Sequence, residues 1–229
     1  MVLPITGIGH LIDFLVLIYF YSRIRKTNIA NNKFYYYFER FTLSMATFFL
    51  IMAIPNLLFP NDSYILGLGY IIGHIFLYVS YAFLIRVSLF ILKPAYNSLL
   101  IFFAYLVLAA AITTLNVILF NYPVVLDNGI TAFNAAAPIG IAITLISLVT
   151  LLPSSVLFIR EAIRQPQQRR RFALIGISFL LIIIGGPMHD TATTASMYIV
   201  ADAITTLGFL TMFFGVIFGS KSALTNRKR

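Results

Sequence analysis

Seven apolar stretches decide what this chain can fold into, each close to the ~20 residues that an α-helix needs to cross a bilayer at about 1.5 Å rise per residue. They run at roughly 6–24, 38–59, 64–91, 97–120, 135–159, 171–187 and 194–219. Between them lies turn chemistry: Pro60-Asn61-Asp62-Ser63, Lys93-Pro94, Leu126-Asp127-Asn128-Gly129 and Gly185-Gly186-Pro187. The sixth stretch is the shortest, and its Gly-Gly-Pro predicts a helix end at 187. Only 10% of the residues are charged, against about 25% in a soluble domain, so too few polar residues exist to cover a water-facing surface. Lipid is the solvent this composition requires, and residues 1–229 read as a single seven-helix, all-α membrane domain. The chain has no cysteine, which excludes disulfides, thiolate metal sites and a cysteine nucleophile. It has no tryptophan either, so its 13 tyrosines must supply the aromatic anchors at the membrane interfaces. The basic residues Arg23, Arg25 and Lys26 follow the first apolar stretch, and no small-residue cleavage site is present, so a cleaved signal peptide is not expected.

Charge orients the bundle. The 16 Lys and Arg residues fall at 23–40, at Arg86 and Lys93, at 160–171 and at 221–229. With seven spans all four places lie on one side, and the opposite loops hold Asp62, Asp127 and Asp190 with no basic residue. Basic loops stay in the cytoplasm, so the expectation is a multi-pass cell-membrane protein with its N-terminus outside and its C-terminus inside. The net charge of +9 then reflects topology and attraction to anionic inner-leaflet lipids, worth about 1 kcal/mol per basic residue, and no nucleic-acid partner is expected. The Arg160–Arg171 segment is also a candidate dock for a cytoplasmic partner.

Ionisable residues inside a membrane are costly and by default mark a working site. Here they gather in the outer half. His10 and Asp13 stand one turn apart in helix 1. His74 lies about 15 Å into helix 3 and Asp202 about 12 Å into helix 7, while His189 and Asp190 sit at the outer mouth of helix 6. On helix 3, Tyr70, His74, Tyr78 and Tyr81 share one face; on helix 7, Tyr198, Asp202, Thr205 and Thr206 do the same. Both stripes should point into the bundle. Tyr70, His74, Tyr78, Tyr198, Asp202 and Thr206 are the candidate ligand-binding residues. His10, Asp13, His74, His189 and Asp190 are candidate ligands for a divalent metal. The alternative for these polar stripes is interhelical hydrogen bonding, worth about 1 kcal/mol per contact.

An internal comparison suggests a parallel repeat. Tyr70-Ile71-Ile72-Gly73-His74 matches Tyr198-Ile199-Val200-Ala201-Asp202, Arg40-Phe41 matches Arg171-Phe172, and Pro55 matches Pro187 as the end of its helix. Helices 1–3 and 5–7 would then be equivalent, with helix 4 as linker and the site at the repeat interface. Such a three-one-three layout resembles the SWEET sugar transporters, although the Pro-Gln pairs of that family are missing from helices 1 and 5. It also resembles the microbial rhodopsins. The run Val200-Ala201-Asp202-Ala203-Ile204-Thr205-Thr206-Leu207-Gly208-Phe209 looks like the opsin pattern of a buried Asp, a Lys four residues on, then Gly-Phe. The resemblance implies a counter-ion role for Asp202, but Thr206 replaces the lysine, and a Schiff base needs an amine, so covalent retinal is excluded. The seven-helix input modules of sensor kinases resemble it in layout and in the basic loop before helix 6; with the sequence ending at Arg229, no output domain is expected.

Catalysis is not expected. A zinc hydrolase of the ceramidase-like kind would use histidine ligands at about 2.0–2.1 Å, yet helix 7 lacks that family's pair of histidines four apart. No nucleophile elbow, phosphate loop or paired-histidine motif occurs. Gly67-Leu68-Gly69 reads as close helix packing, and Asn61-Asp62-Ser63 as a turn that also fits a glycosylation sequon. The reading taken is a receptor- or sensor-like bundle with a small-ligand or metal pocket in its outer half. The alternatives are a small-solute transporter of SWEET-like layout and a non-catalytic membrane assembly factor.

Overall fold

The computed structural model describes residues 3–27, 33–92, 98–126, 128–133, 135–191 and 194–225. Seven helices cross it: α1 (Ile5–Thr27), α2 (Lys33–Leu58), α3 (Ser63–Leu92), α4 (Ser98–Ile118), α5 (Ala137–Arg164), α6 (Arg169–Thr191) and α7 (Ala195–Thr225). All seven are long and apolar enough to span a membrane. Their outward faces agree with that solvent: Ile163 is 74% exposed, Ile118 71%, Val107 70% and Val149 69%, an apolar surface far larger than a water-soluble protein carries.

Consecutive helices pack side by side, and contacts of α1 with α7 and of α3 with α5 close the bundle. Among the described residues α4 packs mainly on α3 and α5. The interior is aromatic. Phe41 meets Phe179, Phe158 meets Phe172 and Phe179, and Phe20 stacks on Phe213 with centroids 4.0 Å apart. At that end Arg171 of α6 donates to the Tyr35 hydroxyl of α2 at 3.1 Å and lies 4.9 Å over the Phe34 ring, so the starts of α2 and α6 are pinned together.

Local chemistry sets the start of α3. Asp62 caps α3, its carboxylate accepting the backbone N–H groups of Tyr64 and Ile65, both at 3.0 Å. The two glycines read as packing residues are that: a Cβ on Gly67 would fall 2.6 Å from the Asn121 carbonyl, and one on Gly69 2.6 Å from Pro55 Cγ.

The prolines depart from expectation. Neither Pro55 nor Pro187 ends its helix; α2 continues to Leu58 and α6 to Thr191. Proline removes one backbone hydrogen bond and crowds the preceding turn, but packing can hold the helix through it. Gly69 leaves room for the Pro55 ring. Beside Pro187, Gly185 lets α7 approach so closely that a Cβ there would overlap Thr205 and stand 2.9 Å from the Ala201 carbonyl. α2 also begins five residues earlier than read from sequence, and α5 ends five later. The apolar core of a helix is visible in sequence, whereas its polar extensions are not.

A short hairpin between α4 and α5 was not anticipated. Val124–Val125 (β1) pairs antiparallel with Thr131–Ala132 (β2). Its turn uses Gly129 at φ 80°, the left-handed region that glycine enters without strain. The hairpin ties three elements. Thr131 N–H donates to Thr6 Oγ1 at 2.9 Å, Ile5 N–H to the Gly129 carbonyl at 2.9 Å, and the Thr131 hydroxyl to Asn56 Oδ1 of α2. The Lys93-Pro94 turn, Asp127 and the side chains of 217–229 lie outside the described residues.

Candidate functional site

A cavity of about 100 Å³ lies inside the bundle. Its wall draws on α1, α2, α3, α5, α6 and α7 and on Phe133 after the hairpin, and on none of the described residues of α4. Most of the wall is aromatic or aliphatic, including Phe48, Phe49, Tyr70, Ile143 and Phe209. Its polar groups are His10, His74 and His189, with Tyr81, Thr144, Ser147, Tyr198 and Thr205. An apolar enclosure with a few convergent polar groups is the usual form of a small-molecule site.

Two of the histidines form one pole. His10 projects from α1, 5% exposed, and its ring faces His189 of α6 with centroids 6.2 Å apart. Phe49 meets His10 edge-on at 5.7 Å, and Tyr198 meets His189 at 4.7 Å and 90°. Neither ring nitrogen of His10 has a hydrogen-bond partner, and neither has that of His189. Behind His189 stands Asp202 of α7, its Oδ1 3.9 Å from His189 Nε2, an ion pair whenever the imidazole is protonated. Asp202 fits there because residue 9 is glycine: a Cβ at Gly9 would lie 2.8 Å from that same carboxylate oxygen.

His74 of α3 also lines the cavity. Its Nδ1 faces the Tyr70 carbonyl at 2.8 Å, one turn back along α3, so that nitrogen carries the proton when the ring is neutral. Tyr70 packs on it at 4.1 Å and Phe48 at 5.6 Å. Asp13, one turn inward from His10, is wholly buried. Its Oδ1 accepts a hydrogen bond from Thr206 of α7 at 2.6 Å, whereas Oδ2 has no partner.

The residues singled out in the sequence thus divide. Tyr70, His74, Tyr78, Tyr81, Tyr198 and Thr205 are all buried, so both stripes do face the bundle interior. Tyr70, His74 and Tyr198 line the cavity, and Tyr78 turns instead toward Ala109 and Thr113 of α4. Asp202 and Thr206 stand one layer behind the wall. Thr206, at the position where the opsin resemblance would put a lysine, holds Asp13. Of the candidate metal ligands, His10 and His189 come together with Asp202, and His74 lines the same cavity from α3; the Asp190 side chain lies outside the described residues. Among the described residues no three His, Asp or Glu side chains converge as a metal-binding group.

Sequence reasoning missed α5. Thr144 and Ser147 reach the cavity, Ser147 bonding Tyr81 at 3.2 Å; Thr150 bonds Tyr105 at 3.1 Å and Ser154 bonds Ser88 at 2.7 Å. The signal was present: hydroxyls at 144, 147, 150 and 154 repeat every three or four residues along one face of an apolar helix.

What the fold and cavity define is a multi-pass membrane bundle of seven apolar helices with an interior aromatic pocket. No protein-family model, curated protein or solved structure matches the chain.

Proposed function

We propose that this protein is a receptor- or sensor-like membrane bundle that binds a small, mainly apolar molecule in the cavity between its helices. The observation that carries the reading is the convergence of all three histidines of the chain on one aromatic-lined cavity. Polar groups that served only to join helices would spend their hydrogen bonds on one another. His10 and His189 instead keep their ring nitrogens unbonded at a cavity wall.

Orientation follows from charge. The basic segments at 23–40, 160–171 and 221–229 face the cytoplasm and anionic lipid, which puts the N-terminus and the cavity's histidine pole in the outer half. The repeat reading adds that the pocket lies between α1–α3 and α5–α7, with α4 as linker. Occupancy would bias α6 against α7, which touch at Gly185 and carry His189 and Asp202, and the change would be read at the basic ends of α5 and α6.

A blocking variant tests the reading. Gly186 lines the cavity and a Cβ there meets nothing within 4 Å, which makes Gly186→Phe the blocking variant; Gly140, equally open and away from the cavity, supplies the control Gly140→Phe. Organic extracts of protein purified from native membranes, analysed by mass spectrometry, should contain a co-purifying small molecule in wild type and Gly140→Phe that is lost from Gly186→Phe. Identical extracts from all three would sink the proposal.

A further inference from the structure

The cavity's charge balance points to the class of its ligand. The sequence places Asp13 and Asp202 in the same half of the bundle as the cavity, and no Lys or Arg accompanies them: the basic residues stand at 23–40, 86–93, 160–171 and 221–229. The only basic groups in this layer are imidazoles, of which two lack hydrogen-bond partners. A buried carboxylate without a cation beside it is costly. With its imidazoles neutral, the layer lacks a positive charge.

We infer that the cavity binds a small protonated amine with an apolar or aromatic body, its ammonium seated at the His10–His189 pole. The inference rests on the pocket reading above and names its ligand class. Geometry fits it in three ways. The two imidazoles, their ring centroids 6.2 Å apart and their nitrogens without hydrogen-bond partners, bring two acceptors for an ammonium to one side of the cavity. Phe49 and Tyr198, which pack edge-on with these two imidazoles, line the same cavity, so aromatic rings surround the pole. Asp202, 3.9 Å behind His189, supplies the charge. A carboxylate ligand would meet that charge with the same sign, and a neutral alcohol would leave it unanswered. The apolar remainder of the wall takes the ligand's body. A cavity of about 100 Å³ restricts the ligand to a small molecule.

Three probes with one body and three head groups test this: 2-phenylethylamine, 2-phenylethanol and phenylacetate. Each is titrated against detergent-purified wild type, Asp202→Asn and Gly186→Phe, with thermal unfolding as the readout. The amine should raise the Tm of wild type saturably, by more than the alcohol does, and phenylacetate should not raise it. Gly186→Phe should abolish the amine's effect, and Asp202→Asn should weaken apparent affinity by about tenfold. The wild-type comparison stands alone if Asp202→Asn fails to fold. An alcohol or acid that stabilises wild type as well as the amine does, with the effect lost in Gly186→Phe, overturns the amine assignment and leaves the pocket standing. No shift with any probe, or an amine shift that persists in Gly186→Phe, also overturns the assignment. The pocket itself is judged separately by the extraction experiment.

Discussion

Removing the Asp13 carboxyl should cost less stability than removing the hydroxyl that bonds it. Asp13 is wholly buried and half-satisfied: Oδ1 accepts from Thr206 at 2.6 Å, and Oδ2 has no partner. Thr206→Val keeps the side-chain shape and deletes the donor, leaving both carboxyl oxygens unpaired. Interhelical hydrogen bonds in membranes average about 0.6 kcal/mol and reach about 1.7. A short bond to a fully buried carboxyl belongs at the upper end, so Thr206→Val should cost about 1.5 kcal/mol. Asp13→Leu deletes the unpaired oxygen along with the paired one. The bond is lost, but so is the desolvation penalty of about 1–3 kcal/mol on the buried group, and the net change should fall between neutral and mildly stabilising. In the Asp13→Leu background, Thr206→Val should then cost nearly nothing, a coupling of about 1–1.5 kcal/mol. Equilibrium unfolding in mixed micelles, followed by circular dichroism because the chain has no tryptophan, measures all four corners of the cycle. Asp13→Leu destabilising by more than Thr206→Val would refute the reasoning and make Asp13 a structural tie. A coupling below about 0.3 kcal/mol would show that the α1–α7 bond carries no energy.

Other consequences follow from packing and charge. Gly69→Ala should destabilise by about 1–3 kcal/mol, since its Cβ would lie 2.6 Å from the rigid Pro55 ring, whereas Gly140→Ala should be neutral or stabilise by up to about 1 kcal/mol; the same unfolding assay checks both. Arg171→Lys should lose most of what Arg171→Leu loses, about 1–2 kcal/mol, because a lysine cannot both reach the Tyr35 hydroxyl and lie flat over Phe34; equal stability of wild type and Arg171→Lys would contradict this. Thr131→Val should speed amide exchange at Leu126 and Ile5, whose N–H groups bond within and onto the hairpin, while leaving exchange in mid-α3 unchanged.

The helices were legible because their signal is local and long: some twenty apolar residues in a row leave few alternatives. Their interruptions were less so. Pro187 reads as a stop in sequence, yet α6 runs through it, because what rescues a mid-helix proline is the neighbouring helix seated at Gly185, a tertiary fact. Depth along each helix brought His10, His189 and Asp202 into one layer correctly. Rotation about each helix axis was the missing coordinate: it puts Tyr70 and His74 on the cavity wall and Tyr78 beside residues of α4. The α5 hydroxyls were visible as a periodicity, but serines and threonines are cheap in a membrane helix and draw less notice than a histidine. The hairpin was unreadable: Val124–Val125 and Thr131–Ala132 are too short to show alternation.

That hairpin also bears on how the molecule is made. Thr6 and Thr131 are 125 residues apart, and the bond between them joins the first helix to the link between α4 and α5. A nascent chain that has delivered only its first four helices therefore holds Thr6 and Asn56 without their final partner. α1 can enter the bilayer early, yet it settles into register late, once more than half the chain has been synthesised. Contacts of such long sequence separation are slow to close. The tie between α1, α2 and the hairpin is therefore one of the last parts of the bundle to form, and a stalled or truncated chain would lack it.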